Sequence, residues 1–185
     1  MNAAPQGRFR LRFPRAAGEP SAPDAADLYR RLAPAVLGYV RSQGVADAED
    51  LLGEIFLQVV RDLSRFRGDD AALRRWVFTI AHHRIVDSRR RASRRPVLAG
   101  DAVPDTAAPA APDAFDKELA RALDRLTADQ REVVALRFVA DLPIDSVAVL
   151  TGRTPNAVKA LQHRGLEALA RELGQGWSPI SAAGA

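Results

Sequence analysis

Residues 143 to 173, PIDSVAVLTGRTPNAVKALQHRGLEALAREL, leave the chain few conformations other than two short helices joined by a tight turn. Gly152 stands where the first helix must end and positive φ costs little, and Thr154 followed by Pro155 supplies the N-cap and first residue of the second. Val147, Val149 and Leu150 give the first helix an apolar stripe. Val158, Leu161 and Leu169 give one to the second, which leaves Asn156, Lys159, Gln162, His163 and Arg164 facing outward. This is the helix-turn-helix pattern. A helix presented this way fits the major groove, where amide and cationic side chains read base edges and phosphates, so the pattern points to DNA as the partner. The same spacing also suits a plain helical hairpin whose polar face is only solvated.

Charge placement bears on that choice. The net charge of +4 is unevenly spread: residues 27 to 95 hold 14 Arg against 9 Asp plus Glu, whereas residues 96 to 116 hold 4 Asp and no base. The excess concentrates at Arg84, Arg89, Arg90, Arg91, Arg94 and Arg95, near the end of a long helical stretch, as a phosphate-contacting surface would have it. Cations also favour a helix C-terminus through the dipole, so a solvated helix end is the competing reading.

Punctuation divides the chain into an arm, two helical units, a linker and a tail. Residues 1 to 26 are rich in Pro, Ala, Gly and Arg and read as a flexible basic arm, within which Phe9, Arg10, Leu11, Arg12 and Phe13 alternate. Residues 96 to 113 contain four prolines without helical periodicity and read as a linker; residues 174 to 185 form a tail. Helices are expected at about 26–43, 48–64 and 70–93 in the first unit (27–95). The second unit (114–173) is expected to place helices at 114–126 and 128–139 ahead of the helix-turn-helix. The fold class is therefore all-α, two small helical domains on a flexible tether. No apolar run approaches the roughly 20 residues that a membrane span needs. Arg8, Arg10, Arg12 and Arg15 interrupt any secretory core at the N-terminus, and cysteine is absent, so a cytoplasmic chain without disulfides is expected.

Within the first unit, Pro34 is expected to break or kink the first helix. Asp47 can cap the second helix, in which Leu52, Ile55, Phe56, Val59 and Leu63 make a buried stripe. Asp50, Glu54, Leu57 and Arg61 lie opposite, an apolar side chain within a charged surface, as on a docking face. Gly53 in mid-helix costs roughly 1 kcal/mol relative to alanine, and the pattern offers no reason for it. The third helix is expected to bury Leu73, Val77, Ile80 and Ala81 and to show Arg75, Thr79, His82 and Arg89. Trp76 reads as core, and Asp87 as an intrahelical partner of Arg84 and Arg91. His82, His83 and Asp87 make a poor metal site, because adjacent histidines diverge by about 100° on a helix and no further ligand follows. In the second unit Thr127 and Gln130 form a capping box.

The stretches DAEDLLGEIFLQVVRDLSRFRG and LRRWVFTIAHHRIVDSRRR resemble region 2 of the extracytoplasmic-function sigma factors, a class of the sigma-70 family. LDRLTADQREVVALRF, DLPIDSVAVLTGRT and PNAVKALQHRGLEAL resemble region 4, in the same order and after a linker. The resemblance implies a non-enzymatic, cofactor-free protein that binds core RNA polymerase and directs it to a promoter. It implies that Asp47, Glu49, Asp50, Glu54, Leu57 and Arg61 contact the clamp helices of the largest subunit, and that region 4 also meets the flap of the second-largest. Phe66 and Arg67, in the loop from Ser64 to Asp70, occupy the place where the family captures a flipped base, with Arg75, Thr79, His82, His83, Arg89 and Arg90 of the following helix on the minus-10 element. Arg153, Thr154, Asn156, Lys159, Gln162, His163 and Arg164 would serve the minus-35 element. Lys159, Ala160 and Leu161 replace the Lys-Ser-Arg run of many members, with Gln162 a candidate to compensate, and Pro143 replaces a usual Ser cap. An anti-sigma antagonist and a monomeric free state are further expectations. The competing readings are a stand-alone helix-turn-helix regulator and a nucleic-acid enzyme; the second lacks a plausible carboxylate or metal constellation.

Overall fold

The computed structural model describes residues 24–94 and 114–174. The arm, the linker and the tail fall almost wholly outside the described residues. Among the described residues every regular element is helical: α1 (Ala25–Ser42), α2 (Ala48–Leu63), α3 (Asp70–Arg94), α4 (Ala114–Asp124), α5 (Ala128–Val134), α6 (Ile144–Thr151) and α7 (Pro155–Leu173). Helices α1 to α3 form one bundle and α4 to α7 the other.

Local chemistry explains most of the boundaries. Asp24 accepts from the amides of Ala26 and Asp27 and starts α1. Pro34 does not end that helix. It is exposed, so the carbonyl left without its amide partner can face water, while Leu32, Ala33 and Val36 on either side are buried and hold the helix together. Asp47 occupies the N-cap position of α2, but its side chain makes no capping bond; the buried stripe of Leu51, Leu52, Ile55, Phe56, Val59 and Leu63 anchors the helix instead. Thr127 and Gln130 bond reciprocally at the start of α5, at 3.1 and 3.3 Å, which is the expected capping box. The single helix expected over 128–139 changes pitch at Ala135, where a π-helical segment (Ala135–Val139) takes over and the Ala140 amide reaches the Ala135 carbonyl at 3.0 Å.

Inside the second bundle Gly165 sets the distance between α7 and α5. A Cβ there would stand 2.8 Å from Val134 Cγ2 and 3.5 Å from Gln130 Cβ, so no larger residue fits without separating the helices. Gly165→Leu is expected to destabilise the protein by about 1 to 3 kcal/mol or more, read as a lower thermal midpoint with helical circular dichroism retained at low temperature; an unchanged midpoint would mean that the helices can part freely.

The two bundles are not independent bodies. Val133, Leu136, Ala140, Leu142, Val147, Ala148 and Val158 of the second belong to the same buried cluster as Val36, Tyr39, Val40, Val77, Phe78 and Ala81 of the first. The contact runs between α1 and the π-helical segment and between α3 and α6. Arg74 Nη1 donates to the Ala140 carbonyl at 3.1 Å across it. Trp76 is buried as expected, but the expected buried set of α3 is otherwise too small: Phe78 and Ile85 are buried as well, whereas Ile80 is only partly so.

Candidate nucleic-acid interface

Helix α6 ends as its residues dictate. Gly152 adopts φ 67°, and the amides of Gly152 and Arg153 close back onto the carbonyls of Val149 and Ala148. Thr154 then accepts from the Ala157 amide at 3.2 Å, and Pro155 opens α7. Asn156, Lys159, His163 and Arg164 project from the exposed side of α7, while Val158 and Leu169 are buried on the other. His163 pairs with Glu167 one turn on, at 3.3 Å.

The remaining candidates on this element have structural employment. Gln162 is half-buried and its Oε1 accepts from Arg137 Nε at 3.0 Å; Arg137 also donates to the Leu142 carbonyl, so Gln162 braces α7 against the π-helical segment rather than standing free. Arg153 Nη2 pairs with Asp129 at 2.7 Å, which ties the turn to the start of α5. Val149, expected in the apolar stripe of α6, is 82% exposed, and Ala148 takes the buried position. An eight-residue helix buries only the narrow arc through Val147 and Ala148, and Val149 lies about 100° further round.

In the first bundle the loop before α3 is self-braced. Phe66 stacks on Trp76 with ring centroids 5.2 Å apart, and Arg67 Nη1 donates to the carbonyls of Ser64 and Phe66. Gly68 permits this closure, since a Cβ there would stand 2.9 Å from Phe66 Cζ and 3.0 Å from Ala72 Cβ. On α3, Arg75 is half-buried and His83 and Arg90 are exposed, but Thr79 and His82 are not on an outer face: they are 9% and 8% exposed. Thr79 donates back to the Arg75 carbonyl at 2.8 Å. Burial and the neighbouring His82 ring pull the His83 imidazole below its ordinary range. The second bundle covers this part of α3, so a helix read as two-faced is apolar around much of its girth.

The arginines at the end of α3 are partly committed too. Arg89 Nη2 donates to the carbonyl and the Oε1 of Gln43, both at 2.9 Å, and so closes the C-terminus of α1. Asp87 pairs with Arg90 at 3.9 Å, not with Arg84 or Arg91; those two converge on Glu54 at 3.6 and 3.9 Å. The distinction follows from tertiary packing, which brings α2 alongside α3 and offers a carboxylate that sequence spacing does not reveal.

The outer face of α2 carries Asp47, Glu49, Asp50, Glu54, Leu57 and Arg61, all exposed. Glu49 accepts from Arg41, and that hydrogen bond holds its carboxyl below the usual range. Beside these charges runs an apolar groove lined by Ala25, Tyr29, Gly53, Phe56, Leu57 and Val60. Tyr29, Leu57 and Val60 are 48%, 62% and 52% exposed, and Tyr29 sits edge-on to Phe56 at 4.8 Å. Tyr29 and Val60 escaped the sequence reading, although Val60 is spaced three residues from Leu57 on one helical face. Gly53 belongs to this groove. A Cβ there would meet nothing within 4 Å, so packing does not demand glycine; its missing side chain leaves the groove open.

Two family models cover most of these elements. Residues 28–95 match Sigma-70 region 2 and residues 116–169 match Sigma-70, region 4. The chain is 37% identical over 157 residues to the RNA polymerase sigma factor CarQ of Myxococcus xanthus, covering 80% of this chain and 88% of that protein. The chain belongs to the extracytoplasmic-function class of the sigma-70 family. The ECF sigma factor ShbA of Streptomyces griseus is a further relative, 32% identical over 77% of this chain and 84% of its own length. In fold the sigma factor is similar to RpoE of Bartonella quintana, solved in complex with the anti-sigma factor NepR: TM-score 0.62 at 21% identity, covering 80% of this chain and 95% of that one. It is also similar to CnrH, solved with the cytosolic domain of CnrY, with TM-score 0.56 at 22% identity over 80% of this chain and 86% of that one. This protein is thus an RNA polymerase sigma factor, and the family consists of non-catalytic initiation factors. A stand-alone regulator is not favoured, because region 2 accounts for the whole first bundle.

Proposed function

We propose that the sigma factor docks on core RNA polymerase through the exposed face of α2, reads the minus-35 element with α7 and engages the minus-10 element with α3 and the loop before it. Promoter recognition through α7 rests chiefly on one observation, the row of Asn156, Lys159, His163 and Arg164 projecting from a helix braced on its other side by Val158, Leu169, Gly165 and Gln162. A helix fixed in this way presents base-reading groups without having to order them on binding. Arg153 and Thr154, held by Asp129 and by the α7 cap, set the angle of the turn and offer amide and guanidinium groups toward phosphate.

Docking on polymerase is supported by the groove of Tyr29, Phe56, Leu57 and Val60 with its rim of Asp47, Glu49, Asp50, Glu54 and Arg61. Apolar anchors surrounded by charge are the usual composition of a binding patch. The clamp helices of the largest subunit are the expected contact, and the flap of the second-largest the contact of region 4. In the loop, Phe66 and Arg67 would receive an unstacked base once Phe66 leaves Trp76, and Arg75, His83, Arg89 and Arg90 would meet phosphates. The protein would work where polymerase works, in the cytoplasm, with an anti-sigma factor as its antagonist.

The test is reconstitution. Purified chain and core polymerase should form a complex and give run-off transcripts from a subset of a randomised promoter library. Binding to duplex DNA without binding to core polymerase would instead establish an independent regulator. Gly53→Ala gives a second, graded check: it should stabilise α2 by up to about 1 kcal/mol, because the added methyl meets nothing, while weakening association with core polymerase by narrowing the groove.

A further inference from the structure

The basic arm has no part in the promoter-reading assignment, yet the chain joins it to the first bundle at the mouth of the α2 groove. Residues 1 to 23 lie outside the described residues, and Ala25, at the very start of α1, lines the groove. Tyr29 meets Phe56 while Arg41 bonds Glu49, so α1 runs antiparallel to α2 and the arm is attached beside Val60 and Arg61.

Charge and spacing match the arm to that groove. Residues 1 to 23 hold four arginines, Arg8, Arg10, Arg12 and Arg15, against one acid, Glu19. Phe9, Leu11 and Phe13 alternate with Arg10 and Arg12, so in an extended conformation the three apolar side chains share one side and the arginines the other. The groove offers the complement. Tyr29, Leu57 and Val60 are exposed, and Asp50 lies three and seven residues before Gly53 and Leu57, on the same side of α2. Glu49 and Glu54 are paired with Arg41, Arg84 and Arg91, whereas Asp47 and Asp50 have no ion-pair partner among the described residues. Long arginine side chains above an apolar row can bend sideways to such a rim.

Reach selects this occupant over a second copy of the chain. Ten residues, Pro14 to Pro23, separate Phe13 from Asp24, and when extended they cover about 33 Å at about 3.3 Å each. Arg61 and Asp50 stand eleven positions apart on α2, about 17 Å at about 1.5 Å per residue. The segment therefore reaches the whole groove from its own attachment. A ligand tethered by so short a stretch meets its site at an effective concentration on the order of 1 mM, well above that of a second copy in dilute solution.

We propose that the Phe9 to Phe13 segment of the arm docks in the groove between α1 and α2 of its own chain, apolar side down, with its arginines on Asp47 and Asp50. The proposal rests on the docking reading above: the same groove is there assigned to core polymerase, so arm and polymerase compete for it. If the arm holds the groove about nine-tenths of the time, the apparent affinity for polymerase falls about tenfold.

The chain has no cysteine, so a single Gly7→Cys in the full-length protein carries one spin label next to the segment. The label should broaden the methyl resonances of Leu57 and Val60 more than that of the equally exposed Val149 of α6, and the broadening should vanish when Phe9→Ser, Leu11→Ser and Phe13→Ser are combined. That triple variant, without the label, should bind core polymerase about 3- to 10-fold more tightly than the original chain. Absence of broadening at Leu57 and Val60, its persistence in the triple variant, or its appearance in mixtures of spin-labelled and separately isotope-labelled copies, the mark of a second copy's arm, would each overturn the proposal. Weaker polymerase binding by the triple variant would overturn the competition. Broadening at the groove together with unchanged polymerase affinity would place the polymerase contact elsewhere, which overturns the docking reading and leaves the arm's position standing.

Discussion

Lys159→Ala is expected to lower promoter-specific run-off transcription by about 5- to 150-fold while leaving affinity for core polymerase near its starting value. Lys159 is exposed on the outer face of α7, next in the row after Asn156, and no ion pair among the described residues commits it to the bundle. A direct contact to a base is worth about 1 to 3 kcal/mol, which converts to that range; a phosphate contact alone would give a smaller, sequence-independent loss and a shallower salt dependence. Measuring transcript yield on a selected promoter at two salt concentrations, alongside core binding, separates these cases. Equal loss of transcription and of core binding would show that Lys159 supports the fold or the docking surface instead. Gln162→Ala, by contrast, removes the acceptor of Arg137 and should act mainly on stability.

The second large effect is expected at the α2 groove. Leu57→Arg places a charge among Tyr29, Phe56 and Val60, and should weaken core polymerase binding by about 2 kcal/mol or more, roughly 30-fold, as for a central anchor of an interface. Because Leu57 is 62% exposed, the variant should keep its unfolding free energy within about 0.5 kcal/mol of that of the original protein. Asp50→Arg is the cleaner charge reversal, since Glu54 holds Arg84 and Arg91 and its reversal would also disturb the pairing of α2 with α3. Equilibrium binding to core polymerase by fluorescence anisotropy reads both variants. Unchanged affinity for Leu57→Arg would place the docking surface elsewhere.

Local signals proved the most legible part of the molecule. The Gly152, Thr154 and Pro155 turn, the Thr127 and Gln130 capping box and the buried stripe of α2 all depend on neighbours within four residues, and each adopts the expected geometry. The outward row on α7 was legible for the same reason, apart from Gln162. The misreadings share another cause. Pro34 was expected to break or kink α1; it does not break it, because the burial of Leu32, Ala33 and Val36 outweighs its missing donor. Asp47 was expected to cap α2 and does not. Thr79 and His82 were placed on an outer face and are buried instead, His82 against Tyr39 of α1 and Glu132 of α5.

The sequence by itself determined an all-helical chain, the two bundles, the helix-turn-helix and the family, because periodicity, caps and turn residues act over one or two helical turns and are written in adjacent letters. Only the tertiary structure decided which carboxylate each arginine of α3 meets, which apolar side chains of α1 and α2 combine into a groove, and that the bundles share a core around His82 and Glu132. Those outcomes depend on residues 26 to 50 positions apart being brought within hydrogen-bond or ion-pair distance. No periodicity along one helix encodes such a meeting, since it depends on how several helices pack at once.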